Sequence, residues 1–413
     1  MNTAINDRKT KELKIAAKIV FLGFCCAVLF CITLRILLYL HGREVLYPYN
    51  TFLDIPQYRF DDFSSTYKPT QSGDPYGQGG IYFPFAFLMF RIFTLFSPGI
   101  AVALYGLTFS AMLFFIIEYY TKDTKKYFKP PITYDLTIGT FLLSYPVLFC
   151  LDRGNIEIIL LIFTSIFLIL FQKKNYYLSA IILSIPISMK GLPAIFLVLL
   201  LKEKKYKAAL LCILSTIALT FIALMTFKGG ITESWASYHQ HASAFANHWL
   251  ILPGAYHSTS LFLGVKTIAW YLLPSAQQNY IGFTHHVNML INIYNGIAVI
   301  TLGAITTYVI KYEASFWKNT ALLTFAMIIL PGISYDYKLL NILPVLFIFL
   351  NRTTYATQLD KIYLTLIALL LIPKNYYYFT LPGHAPINNF INMICIFTIT
   401  GLILYERFKK KHI

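Results

Sequence analysis

The sequence is short of charge. Only 13% of its 413 residues are Asp, Glu, Lys or Arg, against about 25% in an ordinary soluble domain. Acids are scarcest, 18 against 34 basic residues, so the net charge is +16. Long polar stretches are few as well. Low-charge runs of roughly 17–25 residues recur from residue 14 to 405, the length that crosses about 30 Å of hydrocarbon. These shortages exclude a soluble enzyme, a disordered protein and a fibrous protein. The strict apolar–polar alternation of barrel strands is missing too, which excludes a transmembrane β-barrel. No Cys-x-x-Cys pair, His-Glu-x-x-His helix, Walker A loop or Gly-x-Gly-x-x-Gly turn occurs. The six cysteines (Cys25, Cys26, Cys31, Cys150, Cys212, Cys395) all lie in or at the end of apolar runs, as small packing residues.

What is present is an all-α pattern, a polytopic transmembrane bundle of about twelve spans forming one integral membrane domain over 1–413. Twenty-three of the 34 basic residues fall in seven short clusters between apolar runs, among them Lys122/Lys125/Lys126/Lys129 and Lys202/Lys204/Lys205/Lys207. The positive-inside rule places those clusters, and both termini, in the cytoplasm of an inner (plasma) membrane protein. Charge distributed by topology in this way argues for a lipid bilayer as partner and against nucleic acid. The first apolar run, about 15–40, is too long for a cleaved signal and reads as an anchor. An outer loop with an interfacial helix follows over 41–98, with 81–97 lying in or dipping into the interface and a break at Ser97-Pro98-Gly99. Residues 132–171 read as two spans joined by Asp152-Arg153-Gly154-Asn155. Lys190-Gly191-Leu192-Pro193 breaks the stretch 176–201. A second outer segment occupies 228–286, with Trp235, Trp249 and Tyr256 as interfacial anchors or sugar-stacking faces.

Placed on this topology, the remaining charges collect on the outer side, where ionisable groups at membrane depth line cavities or mark function. Asp61 and Asp62 fit a general base whose basicity a like-charged neighbour can tune; they fit a helix N-cap equally well. Arg153 has the planar fork of donors that suits phosphate, or a salt-bridged turn with Asp152, and Glu157 one turn on would orient it. Lys190 and Lys338, the latter beside Asp336, suit an anion or a snorkelling lysine. Asp62, Arg153, Lys190 and Lys338 fall in separate turns on one side of the membrane. The histidines at 239, 241, 248 and 257 have no zincin spacing, so no metal is expected.

These segments, in this order, resemble the polytopic glycosyltransferases of the GT-C class, and most closely glycosyltransferase family 87. The resemblance runs over about 15–350. It rests on Asp62-Phe63 with Tyr67, Asp74-Pro75-Tyr76, the box at Tyr82-Phe83-Pro84-Phe85, Asp152 to Glu157, Met189 to Pro193, Ser258 to Phe262 and Ser334 to Leu340. Phe83 replaces the first proline usual in that box, and Asp336 lies near where some members carry a functional histidine. The resemblance implies a polyprenyl-phosphate-linked sugar donor, a glycolipid or polysaccharide acceptor and no soluble cofactor. It implies Asp62 as base with Asp61 beside it, and Arg153, Lys190 and Lys338 on the donor phosphate. Asp152, Asn155, Glu157, Asp336 and Tyr82 would support them. A lipid-linked-sugar transporter or flippase, and an O-antigen polymerase or ligase, are the alternative readings; the first predicts inverted repeats and a midplane site.

Overall fold

The computed structural model describes residues 2–44, 51–53, 55–251, 257–272, 280–352, 357–374, 380–381 and 385–411. Tyr256 and the side chain of Trp249, expected as anchors, lie outside the described residues, as do 252–256 and 273–279 of the second outer segment. Among the described residues the regular structure is helical apart from a two-residue antiparallel pairing of Thr380–Leu381 with Ala385–Pro386 and an isolated bridge between Ser258 and Tyr335. In chain order the helices begin with α1 (Asn2–Leu40), α2 (Asp61–Ser72), α3 (Pro84–Phe90), α4 (Pro98–Thr121), α5 (Ile132–Leu142) and α6 (Tyr145–Arg153). Next come α7 (Glu157–Gln172), α8 (Tyr176–Lys190), α9 (Leu197–Lys202), α10 (Tyr206–Met225), α11 (Gly230–Ile251) and α12 (Leu261–Leu272). The last are α13 (Tyr280–Lys311), α14 (Phe316–Ile329), α15 (Ile342–Leu350), α16 (Gln358–Leu369) and α17 (Ile387–Lys411).

Among the described residues five helical stretches are long and apolar enough to cross a membrane: Ala4–Leu40, Pro98–Tyr127, Tyr206–Met225, Val287–Lys311 and Phe390–Lys409. The bent pair α5–α6 makes a sixth if counted as one span. Several further apolar helices are shorter, α7, α8 and α14 among them. The two classes differ in what surrounds them. Every residue of α15 and all of α14 but its first, Phe316, are buried among neighbouring helices. The long helices instead turn apolar side chains outward, such as Leu107 at 71% and Ile300 at 74% exposure. A helix that is apolar all round needs protein or hydrocarbon on every side, so the long helices form the lipid-facing shell and the short ones the packed interior.

Prolines and glycines decide where the helices stop. Pro98 opens α4 after Ser97 in an extended conformation. Gly191 ends α8, and the chain continues as a 3-10 turn over Leu192–Phe196 before α9. The run 132–153, read from sequence as one span, is broken at Leu143–Ser144, and α5 and α6 meet at 55°. Pro146 in the first turn of α6 explains the break: it lacks an N–H and its ring clashes with a helical carbonyl four residues back. The freed N–H of Tyr145 donates to the carbonyl of Leu371 at 3.0 Å, the internal satisfaction that broken helices in a membrane require. At the opposite end of the bundle Arg352 is fastened to α1, donating to both carboxylate oxygens of Glu12 at 2.9 and 2.8 Å, with Asp360 at 3.4 Å.

Candidate active site

The turn between α6 and α7 organises the site. Gly154 sits at φ +62, and its N–H donates to the carbonyl of Leu151. A Cβ there would lie 2.6 Å from the Cβ of Phe63, so only glycine lets α2 pack this closely against the turn. Asn155 follows, fully buried, with its N–H on the carbonyl of Cys150 and its own carbonyl accepting from Tyr105 at 2.6 Å. Glu157, also buried, donates its N–H to the Asn155 Oδ1 at 3.0 Å. That contact fixes which end of the amide faces the site.

The start of α2 is docked on this turn. The Phe60 N–H donates to the carbonyl of Asp152 at 2.7 Å, and Arg59 Nε to the Asp152 carboxylate at 2.8 Å. Asp61 and Asp62 occupy the first turn of α2, where the helix dipole favours negative charge. Arg153 donates through Nη2 to Asp62 Oδ1 at 2.6 Å and through Nη1 to the carbonyl of Tyr58 at 3.1 Å; Asp61 lies 3.8 Å away. Asn155 Nδ2 donates to Asp62 Oδ2 at 2.8 Å and lies 3.2 Å from the Tyr82 hydroxyl. Each Asp62 oxygen thus holds one protein donor and keeps a second lone pair for another. The Asp62 side chain is 18% exposed, that of Asp61 61%.

A second charged group adjoins the first through Glu157. Lys190, the last residue of α8, donates to Glu157 Oε2 at 2.8 Å, and Asn341 donates to Oε1 at 3.1 Å. Lys338 stands in the 3-10 turn Asp336–Asn341, buried, with its ammonium on the carbonyl of Ile333 at 3.0 Å. Burial, and then the neighbouring ammonium of Lys190, pull Lys338 down to about 7 against the opposing pull of Glu157. Tyr82 and Tyr337 present their rings to Lys190 at 5.9 and 5.5 Å.

Both lysines border a cavity of about 910 Å³. One part of its wall is polar, with Tyr82, Lys190, Tyr335, Tyr337 and Lys338. The rest is largely apolar: Leu192, Ile195 and Val198 from the α8–α9 stretch, Ala298, Val299 and Leu302 from α13, Ala326 and Met327 from α14, and Leu330 just beyond its end. On α13 the lining runs from Asn295 to Thr306, which at 1.5 Å per residue is roughly 16 Å of helix. From α11, Tyr238, Ala242 and Phe245 close the wall beside Phe83.

Of the residues singled out from sequence, Asp61, Asp62, Arg153, Asn155, Tyr82, Glu157, Lys190 and Lys338 form this chain of contacts. Asp152 braces its edge. Arg153 is held against Asp62, whereas Lys190 and Lys338 line the cavity. Asp336 belongs to a neighbouring buried cluster. It accepts from Thr259 at 2.6 Å and Tyr145 at 3.2 Å, and its N–H donates to the carbonyl of His257 at 2.6 Å. Burial pushes its carboxyl up, opposed by the Thr259 hydrogen bond and by His257, Lys374 and Tyr145. Asn341 escaped the sequence reading; its only signal is a position three residues after Lys338, one turn along the same helical segment. Among the described residues no three His, Cys, Asp or Glu side chains converge as metal ligands.

The sequence model of glycosyltransferase family 87 matches residues 81–331. That stretch carries Tyr82, the α6–α7 turn and Lys190. No curated protein and no solved structure matches the chain.

Proposed function

The chain belongs to glycosyltransferase family 87, and from that premise we propose that this membrane glycosyltransferase moves a sugar from a polyprenyl-phosphate donor to a hydroxyl of a glycolipid or polysaccharide acceptor. The observation that carries the donor assignment is the cavity: two lysines and three tyrosines at its polar part, and an apolar trough along α13 and α14. A sugar phosphate joined to a long hydrocarbon has that same division. The outer face of the membrane is the working side, as the charge pattern of the loops argues.

In this reading Asp62 takes the proton from the acceptor hydroxyl. The acceptor oxygen attacks the anomeric carbon, the bond from that carbon to the phosphate oxygen breaks, and the electron pair leaves with the lipid phosphate. A single displacement inverts the anomeric configuration, through oxocarbenium character like that of glycoside hydrolysis. The negative charge that grows on the phosphate needs cations already in place. Lys190 and Lys338 supply them, with Glu157 and Asn341 holding the pair in position. Arg153 and Asn155 act on the base: their donors, at 2.6 and 2.8 Å, hold the Asp62 carboxylate in place and aim it.

The test is incubation of the purified protein with a panel of polyprenyl-phosphate sugars and glycan acceptors, following product formation. Asp62→Asn should lose transfer while donor binding persists. Full activity in Asp62→Asn removes the base assignment, and activity with none of the lipid-phosphate donors removes the donor class.

A further inference from the structure

We propose that residues 58–61 form a binding ledge for the ring of an acceptor sugar next to the catalytic carboxylate, so that the acceptor hydroxyl belongs to a glycan. This rests on the reading of Asp62 as the base. Four consecutive side chains there alternate in character and are all open to solvent. Tyr58 is 51% exposed and Phe60 36%; the side chains of Arg59 and Asp61 are 51% and 61% exposed. Exposed charges of opposite sign, Arg59 between the two aromatic residues and Asp61 after them, place the ledge in water, not in hydrocarbon, where an exposed aromatic would be a membrane anchor. A sugar ring has an apolar C–H face and a hydroxyl edge. Aromatic rings meet the first, while a carboxylate and a guanidinium meet the second through paired hydrogen bonds.

The backbone beneath these side chains is held firmly. Phe60 lies at φ +58, the left-handed region, an outlier for a bulky residue that persists only where the surroundings over-determine it. Its N–H is fixed on the Asp152 carbonyl and Arg59 on the Asp152 carboxylate. One guanidinium, that of Arg153, grips both the Tyr58 carbonyl and Asp62. Ledge and base therefore move as one body, which is the requirement for delivering a hydroxyl to a carboxylate in line with a donor.

Saturation-transfer NMR on the full chain in lipid nanodiscs tests the ledge directly, with methyl α-D-mannopyranoside, methyl β-D-galactopyranoside and N-acetyl-D-glucosamine as probes. At least one probe should receive saturation from the wild type, lose most of it with Tyr58→Ala, and regain it with Tyr58→Trp. In turnover, Tyr58→Ala should raise the acceptor KM about tenfold, the factor for one ring contact of ~1.4 kcal/mol, and leave the donor KM in place. Asp62→Asn should keep the NMR signal while losing transfer. If no probe distinguishes wild type from Tyr58→Ala, or the acceptor KM is unmoved, the ledge is wrong. If the signal behaves as stated but Asp62→Asn stays active, the sugar site stands and the base assignment falls.

Discussion

Replacing Gly154 with Ala tests whether the α6–α7 turn sets the position of Asp62. The backbone there sits at φ +62, where an L side chain costs roughly 1–2 kcal/mol. The new Cβ would lie 2.6 Å from the Cβ of Phe63. Carbon atoms settle at about 3.5–4.0 Å, so α2 must retreat by about 1 Å. Overpacking of this kind adds roughly 1–3 kcal/mol, and the two effects together reach about 2–5 kcal/mol. Asp62 immediately precedes Phe63 on the helix and retreats with it. Its bonds of 2.6 and 2.8 Å to Arg153 and Asn155 stretch or break. A misplacement of about 1 Å costs on the order of 10²-fold in rate. The expected result is a kcat about 100-fold lower, a lower unfolding temperature in detergent, and an unchanged donor KM, because Lys190 and Lys338 stand on other elements. Gly139→Ala on α5 is the control: nothing lies within 4 Å of its added Cβ, so kcat should hold and helix propensity should favour the fold. Wild-type kcat and unfolding temperature in Gly154→Ala would refute the docking argument.

If Lys338 holds the donor phosphate as proposed, donor affinity should depend on pH. With the free lysine near 7, a bound phosphate raises it, so affinity is full below that value and falls as pH rises through it; Lys338→Arg, charged throughout, should flatten the profile measured as donor KM against pH. Asp62→Asn and Arg153→Gln should be non-additive, the double variant no slower than Asp62→Asn alone, because both act on one carboxylate. Multiplying effects in single-turnover assays would place Arg153 on the donor phosphate instead. Lys190→Ala should raise the donor KM and leave Glu157 buried without its ion pair, costing roughly 3–5 kcal/mol of stability by thermal unfolding; a neutral result on both counts removes its role. A reporter fused after Ser97 should report the outer side, and a cytoplasmic signal there would reverse the placement of α3.

Much of this architecture was legible because proline and glycine interrupt long apolar runs in plain view. Ser97-Pro98, Arg153-Gly154 and Gly191-Leu192-Pro193 all mark real helix ends. The bend at Leu143–Ser144 was not, since its cause, Pro146, is buried in an unbroken apolar stretch and acts on a neighbouring turn. In the site, charge made Asp62, Arg153, Lys190 and Lys338 conspicuous. Residue type could not say how they pair. Arg153 suits a phosphate as well as a carboxylate, and the close approach of α2 to the Gly154 turn settles its contact. Asn341 lies 184 residues from its partner Glu157, so nothing local marks it. The number of membrane crossings is similarly a property of the assembled bundle: helices as short as the fourteen-residue α14 are sheathed by others, and hydropathy alone does not separate them from true spans.

The clasp of Arg352 on Glu12 joins positions 340 apart. A ribosome making this chain releases α1 into the bilayer long before the arginine that will hold it exists. Until then Glu12 has Arg8 beside it, 3.9 Å away, and α1 is held chiefly by its packing on α5 and the 122–127 turn. A product cut off before residue 352 would lack both this clasp and the packing of α16 on α1, so the chain's last helices close the bundle onto its first.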